Sequence, residues 1–539
     1  MAMTTRVKPM RSAGEKPRRL NALIGTLFFG ACALGVGLVL GAHARARTAD
    51  GPAPSSLAIF ETDDAAVPDD MIVMSEIERA VDLRRREHFD RVLDARDPGE
   101  LVEHATLTEG RFDAHNFGND VLFVVGDELF AYLFRPENGW GAGGQNRAAI
   151  DFTPRFRRVH LGAAGGPDAF GCFSCHSKGG PDGAGTQTQN AFLRGDGERI
   201  VGADQRNAPH LLGQGPVALL AREMSAELQG EVSAARDRAQ ADGRRVVQPL
   251  SAKGVSFGRV TVTRDGTVDY AGVEGVDHDL TIRPFGWKGH QATLRDMAEE
   301  ELHLHQGLLS NRIQLAVRDG SLDAGPYGKG TWDDVDQDGV SLEIDSGMLT
   351  TVVGYLAQLE VPIMRPPRDP GLVDQWAAGR EYFNEVGCAG CHVPTLELAD
   401  TKLDARQPAP ADRPPFIIDV AKDGDGPKIA PKYGGSYTTY LVNLFSDLKR
   451  HDMGDVLASP DAQGLIPARV FLTRPLWGLA ETAPYLHDGR APTVNEAILA
   501  HGGEAAAARD AYAALDDGAR ASIRVFLTSL SRDPKLFMP

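Results

Sequence analysis

At 539 residues, 42% hydrophobic and 24% charged, the chain is long enough for two or three domains and has the composition of a globular protein. Its formal net charge of −17 argues against a nucleic-acid partner, which would need a basic face to neutralise phosphate, and suits a basic protein such as a small electron carrier. Five cysteines in the whole chain exclude a disulfide-stapled scaffold.

The first twenty residues hold six Lys and Arg, and Ala22 to Ala42 then runs almost without polarity, interrupted only by Thr26. An apolar stretch of that length behind a basic start reads as an export signal or membrane anchor. Its length favours a retained anchor in the inner membrane, whereas Ala42-His43-Ala44 would serve a cleaved signal; either places the rest in the periplasm or another extracytoplasmic space. Residues 1–44 are thus the basic N-terminus and signal or anchor helix, which includes Cys32. Residues 45–70, rich in Ala, Pro, Ser and Asp, are a linker. Ser75-Glu76-Ile77-Glu78 is a capping box, so a helix is expected to about Leu93.

The remaining four cysteines form Cys172-Phe173-Ser174-Cys175-His176 and Cys388-Ala389-Gly390-Cys391-His392. A C-x-x-C-H pentad is the sequence form of a c-type haem attachment site: two thiols add to the porphyrin vinyls and the adjacent His coordinates iron. A single zinc site would need the pairs closer together, and a redox dithiol would leave one motif idle; neither predicts a His after both. The expected cofactors are two covalent haem c groups. Gly126-Asp127-Glu128-Leu129-Phe130 before the first motif is echoed by Gly379-Arg380-Glu381-Tyr382-Phe383 before the second, each read as the short helix leading into the haem turn. The insertion from Arg135 to Phe170 has no pattern and reads as a surface excursion, an access channel or a docking surface.

Between the motifs, Leu250 to Tyr270 alternates around Arg264-Asp265-Gly266 and predicts a small β-hairpin. Helix resumes near Thr293, placing His305 inward over Leu294, Ala298 and Leu302, and His303 outward. His305 is a sixth ligand of the first haem, a distal acid/base, or a hydrogen-bonded half-buried histidine. Asp334, Asp336 and Asp338, with Gly339 and, at the twelfth position, Asp345, have the spacing of a calcium loop. Asp345 to Leu359 is a core helix with Leu349, Val352, Val353, Leu356 and Leu359 on one face. Prolines 362, 366, 367 and 370 then divide a haem domain at 71–365 from one at 371–539.

In the second domain, the helix capped by Thr493 and Glu496 turns His501 inward with Val494, Ala497 and Ile498; His501 is the first candidate for a second axial ligand and Met453 the next. The last helix sets Ile523, Phe526, Leu527 and Leu530 on one face. The fold class is mainly α, with two cytochrome c-like haem domains, loop-rich insertions and a small β-hairpin.

Phe285-Gly286-Trp287-Lys288, Gly387 to Pro394, His451 to Gly454, Thr473 to Gly478, Leu486 to Arg490 and His501 to Glu504 carry a resemblance, thinner around Arg206 to His210. Over about Gly110 to the end, the chain resembles the di-haem oxidoreductase family of peroxidase and thiol-oxidoreductase proteins, relatives of bacterial di-haem cytochrome c peroxidases. The resemblance implies a reactive N-terminal haem fed by a six-coordinate C-terminal haem, with Trp287 between them. It implies that His501 stands where the peroxidases have a methionine ligand, and that Thr482-Ala483-Pro484 helps hold an interdomain calcium. Near the peroxidases' distal Glu this sequence has His305, with Glu301 one turn earlier. The expected activity is peroxidase-like, on peroxide or another small oxidant, supplied by a small electron-donor protein or a quinol-linked donor; the alternative is a non-catalytic electron-transfer cytochrome.

Overall fold

Gly126 and Gly379, the glycines of the internal echo, each mark a place where two helices cross in close contact. The computed structural model describes residues 118–141, 168–193, 202–322, 331, 334–337, 339–341, 343–407, 415–434 and 437–533. Helix α1 (Asn119–Ala131) crosses a later helix at Gly126, where a Cβ would stand 2.4 Å from Tyr355 Cβ. The helix leading into the second motif crosses the last one at Gly379, where a Cβ would meet Ser522 O at 1.9 Å. Phe130 and Phe383, four residues after each glycine, are both buried. The same device, a helix pair crossed at a glycine with an aromatic below, is therefore built twice.

Among the described residues the other helices are α2 (Gln214–Asp242), α3 (Leu294–Gln306), α4 (Asn311–Arg318), α5 (Ser346–Gln358), α6 (Pro370–Glu385), α7 (Val494–Leu499), α8 (Ala506–Ala514) and α9 (Asp517–Leu527). The starts follow their sequence signals: Thr293 caps α3 by accepting from Asp296 N, Asp345 caps α5 by accepting from Met348 N, and Thr493 and Glu496 form the capping box of α7. The structure departs from the expected one-faced α5, since every residue from Gly347 to Gln358 is buried. Its mean apolarity suits a central helix, and Gly354 lets Leu122 of α1 pack against its backbone.

The hairpin expected around Arg264-Asp265-Gly266 is present, with a further strand before it: Val246–Ala252, Val255–Val262 and Val268–Asp269 form an antiparallel sheet against the 29-residue α2. One hairpin undercounts the strands, because five more two- or three-stranded sheets occur among the described residues. Leu530, expected on the last helix, lies beyond its end in a strand paired with Met364. One hydrophobic core joins α1, α2, α3 and α5 and also takes in Leu396, Leu398, Ile418, Val442 and Trp477. A second, around Trp376, Phe383, Phe445, Tyr512 and Phe526, holds α6, α8 and α9 together.

The membrane anchor is corrected. Among the described residues no helix is long and apolar enough to cross a membrane, and Ala22 to Ala42, with Cys32, the linker at 45–70 and the helix from Ser75, lies outside the described residues. Most of the insertion between Arg135 and Phe170 lies outside them too, although its ends are joined: Trp140 stacks on Phe170 at 4.6 Å between ring centroids and donates to Ala169 O.

Candidate active site

Each C-x-x-C-H motif opens as a single 3₁₀ turn, Cys172–Ser174 and Cys388–Gly390, which brings its two cysteines to one side of a cavity. All four thiols are free of disulfides. Burial pushes the thiols of Cys172 and Cys388 up to about 11. The first cavity, about 170 Å³, is lined by Cys172, Cys175, His176, Trp287, Glu301 and His305 among others; the second, about 290 Å³, is lined by Cys388, Cys391, His392, Met453, Trp477 and His501.

The histidines fit a haem ligand set. His176 Nδ1 lies 3.3 Å from Gly183 O and His392 Nδ1 3.0 Å from Phe445 O. A backbone carbonyl at Nδ1 fixes the tautomer with the proton there and leaves Nε2 as the nitrogen for iron. Burial holds both rings at about 4, so both are neutral, as a ligand must be. His501 repeats the arrangement just beyond the end of α7, with Nδ1 2.8 Å from Ala497 O, and burial lowers its pKa as well. His392, His501 and Met453 therefore share one cavity.

His305 differs. Its Nδ1 donates to Asp168 Oδ1 and its Nε2 to Glu301 Oε2, each at 2.9 Å. Burial works against its charge, but the two carboxylates prevail and hold its pKa well above the ordinary value. Glu301 is correspondingly held below the usual carboxylate value: burial opposes this, and the His305 hydrogen bond outweighs it. Both ring nitrogens of His305 are thus engaged by carboxylates in this geometry. The clamp is set by main chain, since Asp168 N and Ala169 N both donate to His305 O at the end of α3. Gln306, the next residue, reaches Cys172 Sγ at 3.6 Å.

The two cavities share the wall formed by Asn207, Ala208, Pro209, His210, Trp287 and Arg474. Trp287 reaches it because Phe285-Gly286-Trp287-Lys288 is a tight turn at φ +73° for Gly286, with neighbouring side chains sent in different directions. Phe285 enters the core. Lys288, fully buried, lies 3.8 Å from the centroid of Phe471 and donates to Pro467 O and Ala468 O. The Trp287 indole N–H donates to Asn207 O at 2.8 Å.

Among the described residues the expected calcium ligands form no grouping of three. Asp345 spends its carboxylate on the cap of α5, Asp334 accepts from Gly339 N, and Asp338 lies outside the described residues. Among the described residues the single grouping of three ligand atoms is Cys391, Asp447 and His451, without Asp336. Pro484 O, on the segment the resemblance gives to an interdomain calcium, accepts from Asn207 Nδ2.

Sequence reasoning missed Asp168, His210 and Arg474. Asp168 lies in an unpatterned insertion, and nothing local marks an arginine before a proline. Also missed was the pairing of His451 with Asp447 at 2.8 Å and Glu504 at 2.7 Å beside Cys391, which raises the His451 pKa to about 11 against the effect of burial. The i, i+4 spacing of Asp447 and His451 was visible, but no helix was there to give it meaning.

No curated protein matches the chain. Among solved structures it is similar to a MauG-like protein associated with microbial copper homeostasis, at 14% identity over 51% of this chain and 79% of that one, with a TM-score of 0.24. Residues 329–530 match the sequence model of the family described as di-haem oxidoreductase, putative peroxidase. That segment holds the second motif, Met453, Arg474 and His501, and the likeness to the family is confined to it.

Proposed function

We propose that the protein is a peroxidase-like oxidoreductase with two covalent haem c groups in two cytochrome c-like domains. Cys172, Cys175 and His176 hold the reactive haem, and Cys388, Cys391 and His392, with His501, hold the one that feeds it. The observation that carries the reading is His305, hydrogen-bonded through both ring nitrogens to carboxylates while lining the cavity of the first motif.

Bound haem supplies the redox-active iron. Reducing hydrogen peroxide to two waters consumes two electrons and two protons, so the residues facing the substrate must take a proton from one peroxide oxygen and return it to the other. Glu301, ionised, takes that proton and returns it to the other oxygen. His305 holds a proton at Nε2 and can pass it along its hydrogen bond to Glu301 for the second water; the protons consumed are replaced from solvent and the two electrons come from the donor. Asp168 keeps the ring oriented and charged.

Trp287, in the shared wall, would lie on the electron path between the two haems. In the second cavity His501 would ligate through Nε2 while Ala497 O holds its Nδ1, with Met453 the competing ligand. Two imidazole ligands give a lower potential than His/Met, so the donor is a low-potential carrier, and the chain's −17 charge favours a small basic protein.

The test is absorption and electron paramagnetic resonance spectroscopy of the holoprotein, oxidised and half-reduced, with and without hydrogen peroxide. A high-spin signal that disappears on adding peroxide supports the reading. Two low-spin haems in every state, indifferent to peroxide, would leave an electron-transfer cytochrome.

A further inference from the structure

Three arginines line the cavities, and two of them have carboxylate partners. Arg206 pairs with Asp204, and Arg509 donates to Asp510 and to His501 O. Arg474 has none among the described residues. Arg474 is half-buried; its contact is with the face of Trp287, 5.5 Å from guanidinium carbon to ring centroid, and desolvation in the cavity wall lowers its pKa to about 10. It also stands in the wall common to both cavities.

A guanidinium is costly to bury unpaired and selects planar oxyanions, two of which its five N–H donors can serve at once. The nearest titratable neighbour in the wall does not meet that need. His210 is 9% exposed, burial takes it down to about 3, and its Nδ1 has no hydrogen-bond partner, so it brings no negative charge. What Arg474 lacks is an anion. Each haem carries two propionate carboxylates at one edge of an otherwise apolar ring.

We propose that Arg474 is a shared propionate clamp, binding a carboxylate from each haem and setting both reduction potentials together. The assignment rests on the two-haem reading above and adds an electrostatic link between the haems, separate from the electron path at Trp287. A positive charge at that position favours the reduced state of both irons, so its loss must lower both midpoints.

The experiment compares wild-type holoprotein with Arg474→Gln, Arg474→Lys and, as a control away from both cavities, Arg283→Gln. Covalent haem is counted by the pyridine haemochrome spectrum, and both midpoints are measured by spectroelectrochemical titration. The expected result is two haems per chain throughout, both midpoints lowered in R474Q, both lowered less in R474K, and neither moved in R283Q. A midpoint at either haem that stays at its wild-type value in R474Q overturns the shared clamp. If R474Q does not fold, R474K decides by the same rule, since lysine keeps the charge but loses the fork that serves two carboxylates. Wild-type protein with fewer than two covalent haems would overturn the two-haem reading itself, a failure distinct from unmoved midpoints in a fully loaded chain.

Discussion

His305 is where this site departs most from a simple haem pocket. A histidine near iron normally offers a lone pair; this one has both nitrogens committed to carboxylates. Replacing His305 or Glu301 by Gln should cost peroxide turnover about 10²–10⁴-fold, the usual worth of a positioned acid/base, while both haems stay attached; initial rates beside a haem count check this. The pH profile follows from the directions of the shifts. Glu301, held below its ordinary 4.5, stays ionised into acid, and His305, held above its ordinary 6.5, stays protonated towards base. Turnover should therefore be level from about pH 5 to about pH 8, without the break near 6.5 that an unpaired histidine gives. The stabilities run oppositely: that of Glu301 is lost as pH falls through its depressed pKa, that of His305 as pH rises through its raised one. Much of this was legible in the sequence, because helical periodicity turned His305 inward and the family resemblance drew in Glu301 one turn earlier. Asp168 was not, since a partner 137 residues away in an unpatterned loop leaves no local signal.

At the scale of elements, the two glycine crossings explain why the echo before each motif begins with glycine. Gly126→Ala and Gly379→Ala each push a methyl group into backbone or Cβ atoms and should destabilise by about 1–3 kcal/mol. Gly230→Ala in α2, with nothing within 4 Å, should instead stabilise by up to about 1 kcal/mol. Urea midpoints of the three variants separate the cases. A third test concerns the centre of α5, where Tyr355 Oη donates to Asp182 at 2.6 Å and lies 2.9 Å from Asp127. Tyr355→Phe leaves Asp182, 3% exposed, short of a donor and should cost about 1–3 kcal/mol in the same assay. Helix starts were readable because caps are local; the small sheets of the second half were not, because strands of three residues show no period.

Across the molecule, the C-terminal end of the described residues is tied back to the middle of the chain by charge. Arg532 donates to Glu360 Oε1 at 2.5 Å with both side chains buried, to the carbonyls of Gly179 and Pro181 just after the first motif, and its backbone N–H donates to Glu481. Arg532→Met strands the Glu360 carboxylate and should cost about 3–5 kcal/mol; adding Glu360→Gln should recover part of that loss, seen as a partial return of the melting temperature. Composition hinted at none of this, since the partners lie 172 residues apart and each looks like an ordinary surface charge in sequence. The contact to Gly179 spans 353 residues. The loop behind Cys172 and Cys175 therefore lacks this tether until Arg532 has joined the fold. Until then Cys172 and Cys175 line a pocket whose outer loop is not yet fixed, and the segment at Arg532 closes it.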